Sequence, residues 1–328
     1  MARPVFINLP FNGVSLAVLL FALSVHNPRT PVLAGLQSLD WIGSFLIVGG
    51  TICFLYGLQS GSGGTHSWSS PSVVCLLVFG VLILVLFGVY EHRFAQDPLV
   101  PTRIFSRRTN VAAFLVLCLH GIVFIAFDYF LPLYFQVALR LSPILSGVSL
   151  FAVVLPLSVA TMATGWYIRR TQDYIWPVRV ASALMTLGTG LFIDLGPTRD
   201  WAKIILFQLL AGLGAGPLFQ APMIAFQSHL PQRDIAAASS ASMFLRSLCT
   251  SVSIVIGTVL LQRKLEGGQL TAEAGPEAQP GHYAAAMRTM WIFYAAVAGV
   301  MTCTGLLIEK APEQEKRETT SVESETPT

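Results

Sequence analysis

The chain has 328 residues, 54% of them hydrophobic and 11% charged, and a formal net charge of +3. An ordinary soluble domain is about 25% charged, and a mean hydropathy of +0.66 means more apolar surface than a soluble core of this size can hide. The composition therefore places the chain in lipid, and the net charge is too small to suggest a nucleic-acid partner.

A helix needs about 20 apolar residues to cross the hydrocarbon layer. Mostly apolar stretches of that size run at Leu9–Ser24, Leu39–Leu58, Val73–Val89, Val111–Phe135, Ile144–Trp166, Val178–Leu195, Ala202–Met223, Ala236–Leu261 and Met290–Ile308. The expected fold is all-α, a polytopic integral membrane protein of about nine transmembrane helices. Gln59–Pro71 is rich in Gly and Ser and reads as a surface loop. His92–Thr109 is a polar, basic loop, and Leu265–His282 is a longer polar one. Glu313–Thr328 is nearly free of apolar residues and reads as a disordered tail.

All five cysteines (Cys53, Cys75, Cys118, Cys249, Cys303) sit in apolar runs and none forms a CxxC pair. That pattern argues against a disulfide framework and a metal site, and no cofactor is expected. No N-x-S/T sequon fixes sidedness. A cleaved signal peptide is open at Arg3 and Phe11–Leu23, although the later spans carry insertion signals of their own. If the first span runs inward, the cytosolic segments hold about twelve Lys and Arg against seven outside. The positive-inside rule then favours a cytosolic C-terminus.

Several strings stand in order along the chain. They are Phe6-Ile7-Asn8-Leu9-Pro10, Tyr129-Phe130-Leu131-Pro132-Leu133-Tyr134-Phe135-Gln136, Ser142-Pro143 with Ser146-Gly147, and Gly212-Leu213-Gly214-Ala215-Gly216. Then come Phe219-Gln220-Ala221-Pro222, Gln227, Arg233-Asp234, Ala238-Ser239-Ser240 and Phe244-Leu245-Arg246-Ser247. Together they resemble the fungal drug:proton antiporters with fourteen spans, in the major facilitator superfamily. The resemblance implies that the chain aligns with spans six to fourteen of that family and that the first five spans are missing, which an odd span count also fits. It implies that residues 1–25 end an N-terminal half, 26–109 hold two linker spans and a basic cytosolic loop, 110–309 form a C-terminal six-helix half, and 310–328 form a cytosolic tail. The family's loop signature between spans two and three and its span-five antiporter signature are not found here. Two departures stand inside the matched region. Gln172 follows Gly165–Thr171 where the family usually has Gly, and Leu248-Cys249 follow Ser247 where it usually has a glycine pair.

Polar residues inside spans are the candidate site, because they are costly in lipid and usually face a cavity or a partner. Asp128 is a candidate proton carrier, or else a hydrated group near the outer interface. Arg246 keeps its charge, so it needs an anion, an acidic partner such as Asp128, or backbone carbonyls. Tyr129, Tyr134, Gln136, Gln220 and Gln227 are candidates for the substrate cavity. The plainer reading is an interfacial aromatic belt for the tyrosines and interhelical hydrogen bonds for the glutamines, Gln208 included. Pro132 is expected to interrupt a helix ladder. Gly212, Gly214 and Gly216 are expected to pack helices closely, and Pro217 and Pro222 to break the helix after them. His92 and Asp97 have the spacing of some membrane acyltransferases, but no supporting motif surrounds them, and no HExxH, GxSxG or P-loop occurs.

The sequence thus reads as a transporter rather than an enzyme. The resemblance implies proton-coupled efflux of small apolar or amphipathic compounds by alternating access, at the plasma membrane more than the vacuole. The expected partners are the bilayer, a small-molecule substrate and protons. The alternative is a non-transporting remnant, or a half-transporter that needs a separate N-terminal half.

Overall fold

The structure is a computed structural model that describes residues 8–22, 40–62, 66–94, 105, 107–267 and 279–309. The described chain is helical, and it is a multi-pass integral membrane protein. Among the described residues, eight helices or helix pairs are long and apolar enough to span a bilayer. Among its described residues the first unit of the chain holds a further apolar helix, α1 (Asn8–Ala22), of 15 residues. The second unit begins at Asp40 and holds the rest.

In that second unit, α2 (Trp41–Ser62) and α3 (Pro71–Arg93) form an antiparallel hairpin. Asp40 accepts a hydrogen bond from the Gly43 amide at the start of α2, and Ser70 accepts one from Val73 with Pro71 beside it. Both are helix starts built from a capping oxygen, the second with proline in the first turn. The expected loop Gln59–Pro71 is shorter than its composition suggests: Gln59–Ser62 continue α2. Trp68 folds back so closely on Gly61 that a Cβ there would stand 2.8 Å from its ring. His92 and Arg93 close α3, while Asp97 lies outside the described residues.

Six spans follow. They are α4 (Arg108–Val137), α5 with α6 (Pro143–Ser149 and Phe151–Thr171), α7 (Ile175–Leu191) ending in a 3-10 turn to Asp194, α8 with α9 (Trp201–Ala215 and Ala221–Gln227), α10 (Gln232–Gly267) and α11 (Gln279–Gly305). α10 and α11 run well past their apolar runs into the expected loop Leu265–His282. The extra turns of α10 are polar, and those of α11 mix His282 and Arg288 with the buried Tyr283, Ala284, Ala286 and Met287. The tail from 310 onward lies outside the described residues.

α4 and the α8–α9 pair are the most deeply buried spans. α4 packs on α9, α10 and α11, and α8 lies between α6 and α7. Bulky rings fill the centre. Phe127, Phe192 and Trp291 meet at 4.9 to 6.2 Å between centroids. Beside them the buried Tyr294 hydroxyl donates to the Ser253 carbonyl at 2.8 Å, and the Ser253 hydroxyl donates to the Ile122 carbonyl at 2.8 Å. One polar chain thus ties α11 to α10 and α10 to α4, at a depth where unpaired groups are expensive.

Glycines set the closest approaches. A Cβ on Gly212 or Gly216 would collide with the Val153 or Leu157 carbonyl of α6, and one on Gly214 with the Met185 backbone of α7. The break after Gly216 also follows the sequence. Pro217 opens a 3-10 turn at Pro217–Phe219, and Pro222 sits in the first turn of α9. Neither proline has an N–H to continue an α-helical ladder. Gln172, where the resemblance expects glycine, has φ 56° and closes α6 in the left-handed region that glycine occupies without cost.

Candidate functional site

One group of polar side chains inside the spans gathers around the ring of Phe219, which the 3-10 turn between α8 and α9 holds. Arg246, near the middle of α10, lies half-buried with its Cζ 4.7 Å from the centre of that ring. A guanidinium over an aromatic face is attracted by the ring quadrupole. Its stem lies along α4 where α4 has no side chain: a Cβ on Gly121 would stand 2.9 Å from Arg246 Cγ and 3.2 Å from Thr250 Oγ1. The glycine pair expected after Ser247 is absent from α10, and for this contact the opposing helix supplies the glycine.

His120 sits beside Gly121. Its ring meets Phe219 edge-on at 4.7 Å and Phe124 at 5.8 Å, and Phe124 meets Phe219 edge-on at 4.9 Å. His120 is 0% exposed, and neither ring nitrogen makes a hydrogen bond. The Ala215 carbonyl faces the ring without closing a well-formed bond. Leaving a buried polar group unpaired costs about 1–3 kcal/mol. Sequence reading passed over His120, although an ionisable residue within an apolar span is itself the signal.

The residues singled out from the sequence fall into two groups. Arg246 and Gln220 are at this cluster or beside it. Gln220 is exposed, and its Oε1 would lie 3.1 Å from a Cβ on Gly165. Asp128 and Tyr129 lie further along α4, with Asp128 about 10 Å from Gly121 at the helical rise per residue. Asp128 is exposed and has no hydrogen bond or ion pair among the described residues, so it is not paired with Arg246. Tyr129 is 48% exposed and meets Phe130 edge-on at 5.0 Å.

The others serve as ties in this structure. Tyr134 is 1% exposed, and its hydroxyl donates to the Gly196 carbonyl at 2.6 Å. Gln136 Nε2 donates to Ser146 Oγ at 3.5 Å, and Ser146 Oγ donates to the Pro132 carbonyl at 3.2 Å. α4 runs through Pro132, which has no N–H for the Asp128 carbonyl. Gln227 Nε2 donates to Ser239 Oγ at 2.9 Å, joining α9 to α10. Gln208 Nε2 donates to the Ile204 carbonyl within its own helix at 3.2 Å. Among the described residues no three His, Cys, Asp or Glu side chains converge on a point that could hold a metal ion. The cluster can offer a fixed positive charge, an aromatic wall and an exposed amide.

Comparisons with known proteins identify the family. The family model described as the Major Facilitator Superfamily matches residues 7–254. The chain is 40% identical to "Efflux pump dotC" of Dothistroma septosporum, over 97% of this chain and 59% of that protein. It is 37% identical to "MFS-type transporter ppz2" of Metarhizium majus, over 95% of this chain and 62% of that one. The chain therefore spans about three fifths of the length of these curated relatives. Among solved structures, a bacterial homologue of the human lysosomal transporter Spinster, inward-facing and occupied, matches with a TM-score of 0.54. That match is 14% identical and covers 87% of this chain and 66% of the other, so it speaks for the fold alone.

Proposed function

The chain belongs to the major facilitator superfamily, and on that premise we propose that it forms part of a proton-coupled exporter of small apolar or amphipathic compounds. The observation that carries this reading is the half-buried Arg246 on Phe219, held in the middle of a span with no carboxylate paired to it among the described residues. A charge kept at that depth is paid for by function more often than by packing. The names of the fungal relatives support the direction, outward.

In this reading residues 110–309 are one six-helix half, and the transported compound sits between that half and another near the midplane. Residues 1–25 end the other half, 26–109 supply the two linker spans and a basic loop, and 310–328 form a tail. Arg246, Gln220 and Tyr129 line the path, and Asp128 exchanges protons as access alternates between the two sides. The charge bias of the loops supports a cytosolic C-terminus, and the plasma membrane is the site of export.

The test is retention of fluorescent probes in cells that express the chain, with neutral Nile red, cationic rhodamine 6G and anionic fluorescein compared. Export reduces retention of at least one probe, and a protonophore restores it. Asp128→Asn with normal surface expression reduces the effect. Retention unchanged for all three probes, with the chain in the membrane, removes the reading.

The second reading is a half-transporter that works with a separate N-terminal half. Co-purification of a five- or six-span partner supports it, and export by the purified chain alone in liposomes removes it.

A further inference from the structure

We infer that the Arg246 cluster selects planar aromatic compounds that carry an acidic group, such as a carboxylate or an acidic phenol. This rests on the reading of that face as the substrate site.

Three features converge on this class. Among the described residues no carboxylate pairs with the Arg246 guanidinium, which is free to take an anion in a bidentate pair. The guanidinium is held at the edge of an aromatic wall, since Phe219 and Phe124 meet each other at 4.9 Å and both are half-buried. A flat apolar ring stacks on such a wall, while its acidic group reaches the charge 4.7 Å away over Phe219.

The third feature is His120, fully buried behind the same ring with both nitrogens unpaired. Phe219 meets the His120 ring edge-on at 4.7 Å, and it stands on a 3-10 turn between Pro217 and Pro222 rather than on a continuous helix. With the ligand ring stacked on that wall and the Phe219 edge turned off His120, the His120 N–H becomes a second donor to the acid. The same movement gives a partner to a ring that makes no well-formed hydrogen bond, so the ligand recovers part of that cost. A neutral aromatic gains the wall but neither donor, and an aliphatic acid gains the donors without the wall.

Gly121 positions the charge. Because any side chain at 121 meets Arg246 Cγ and Thr250 Oγ1, Gly121→Ala displaces the guanidinium while leaving its chemistry intact.

The test is equilibrium binding to the purified full chain in detergent, with 2-naphthoate and 2-naphthalenemethanol as probes of nearly equal size. We expect the acid to bind roughly tenfold or more tighter, the range of a charge-assisted hydrogen bond. Arg246→Gln removes that preference with little change in the alcohol, Arg246→Lys keeps part of it, and Gly121→Ala lowers it. Each variant is first matched to the parent in thermal melting and elution volume. Equal binding of both probes, no binding of either by folded protein, or a preference that survives Arg246→Gln overturns the inference. The outcome is separate from the cell assay: acid-selective binding without export fails the transport reading alone, and export without acid preference fails the inference alone.

Discussion

Replacing Gly214 with alanine should destabilise the protein, whereas the same change at Gly190 should not. The added methyl at 214 would sit 2.6 Å from Met185 Cα and 2.8 Å from the Leu184 carbonyl carbon, well inside the 3.4 Å at which ordinary contact begins. These are backbone atoms of α7, so no rotamer change relieves the overlap and the two helices have to part. Overpacking of this kind costs about 1–3 kcal/mol. At roughly 2–4 °C per kcal/mol for a domain of this order of size, the melting temperature falls by several degrees. At Gly190, inside the same helix α7, nothing lies within 4 Å of the added methyl. Alanine there gains about 0.5–1 kcal/mol of helix propensity. The assay is thermal unfolding of detergent-purified protein followed by the surviving monomer peak on size exclusion. If Gly214→Ala melts with the parent, or Gly190→Ala loses more than Gly214→Ala, the glycine packing described between α7 and α8 is wrong.

Three further outcomes use the same assay. Gln172→Gly raises stability by about 1 kcal/mol, since it removes a left-handed non-glycine residue at φ 56°; a lower melting temperature contradicts the capping geometry. Tyr134→Phe costs about 1 kcal/mol by removing the hydroxyl that donates to the Gly196 carbonyl, and a neutral result would mean that the hydroxyl is free. Ser253→Ala costs about 1–3 kcal/mol because it unties the Ile122 carbonyl from α10 at a depth without water. A loss no larger than that of Asp194→Asn, whose ion pair with Lys203 is exposed, contradicts that account.

Apolar run length located the spans, because lipid demands about 20 apolar residues whatever their neighbours are. It misjudged the ends of α10 and α11, where polar turns (α10) or turns of mixed polarity (α11) continue a helix beyond the apolar stretch. The break at Pro217 and Pro222 was legible for a local reason, the missing N–H. The missing glycine at Gln172 was legible too, and the structure gives its physical meaning as a left-handed cap.

Partners across helices were not legible. Nothing in the string around Tyr134 points to Gly196, 62 residues away, and nothing near Arg246 points to Gly121 or Phe219. Asp128 and Arg246 share an unusual chemistry for a span, which made them natural partners on paper, but α4 carries Asp128 two turns beyond Gly121, where it meets Arg246. His120 carried the same signal as both of them and went unread.

The central claim is that the face bearing Arg246 and Gln220 borders a water-filled path open to each side of the membrane in turn. The direct measurement is thiol labelling in cell membranes with a membrane-impermeant reagent. Single cysteines replace Gln220 and Arg246, with Val159 on the outward face of α6 as control, after the five native cysteines are changed to serine. The account predicts fast labelling of Gln220→Cys and Arg246→Cys with reagent on either side, and slow labelling of Val159→Cys from both. Labelling of all three at the same slow rate would mean that this face meets lipid or protein, and the transport reading would fall with it.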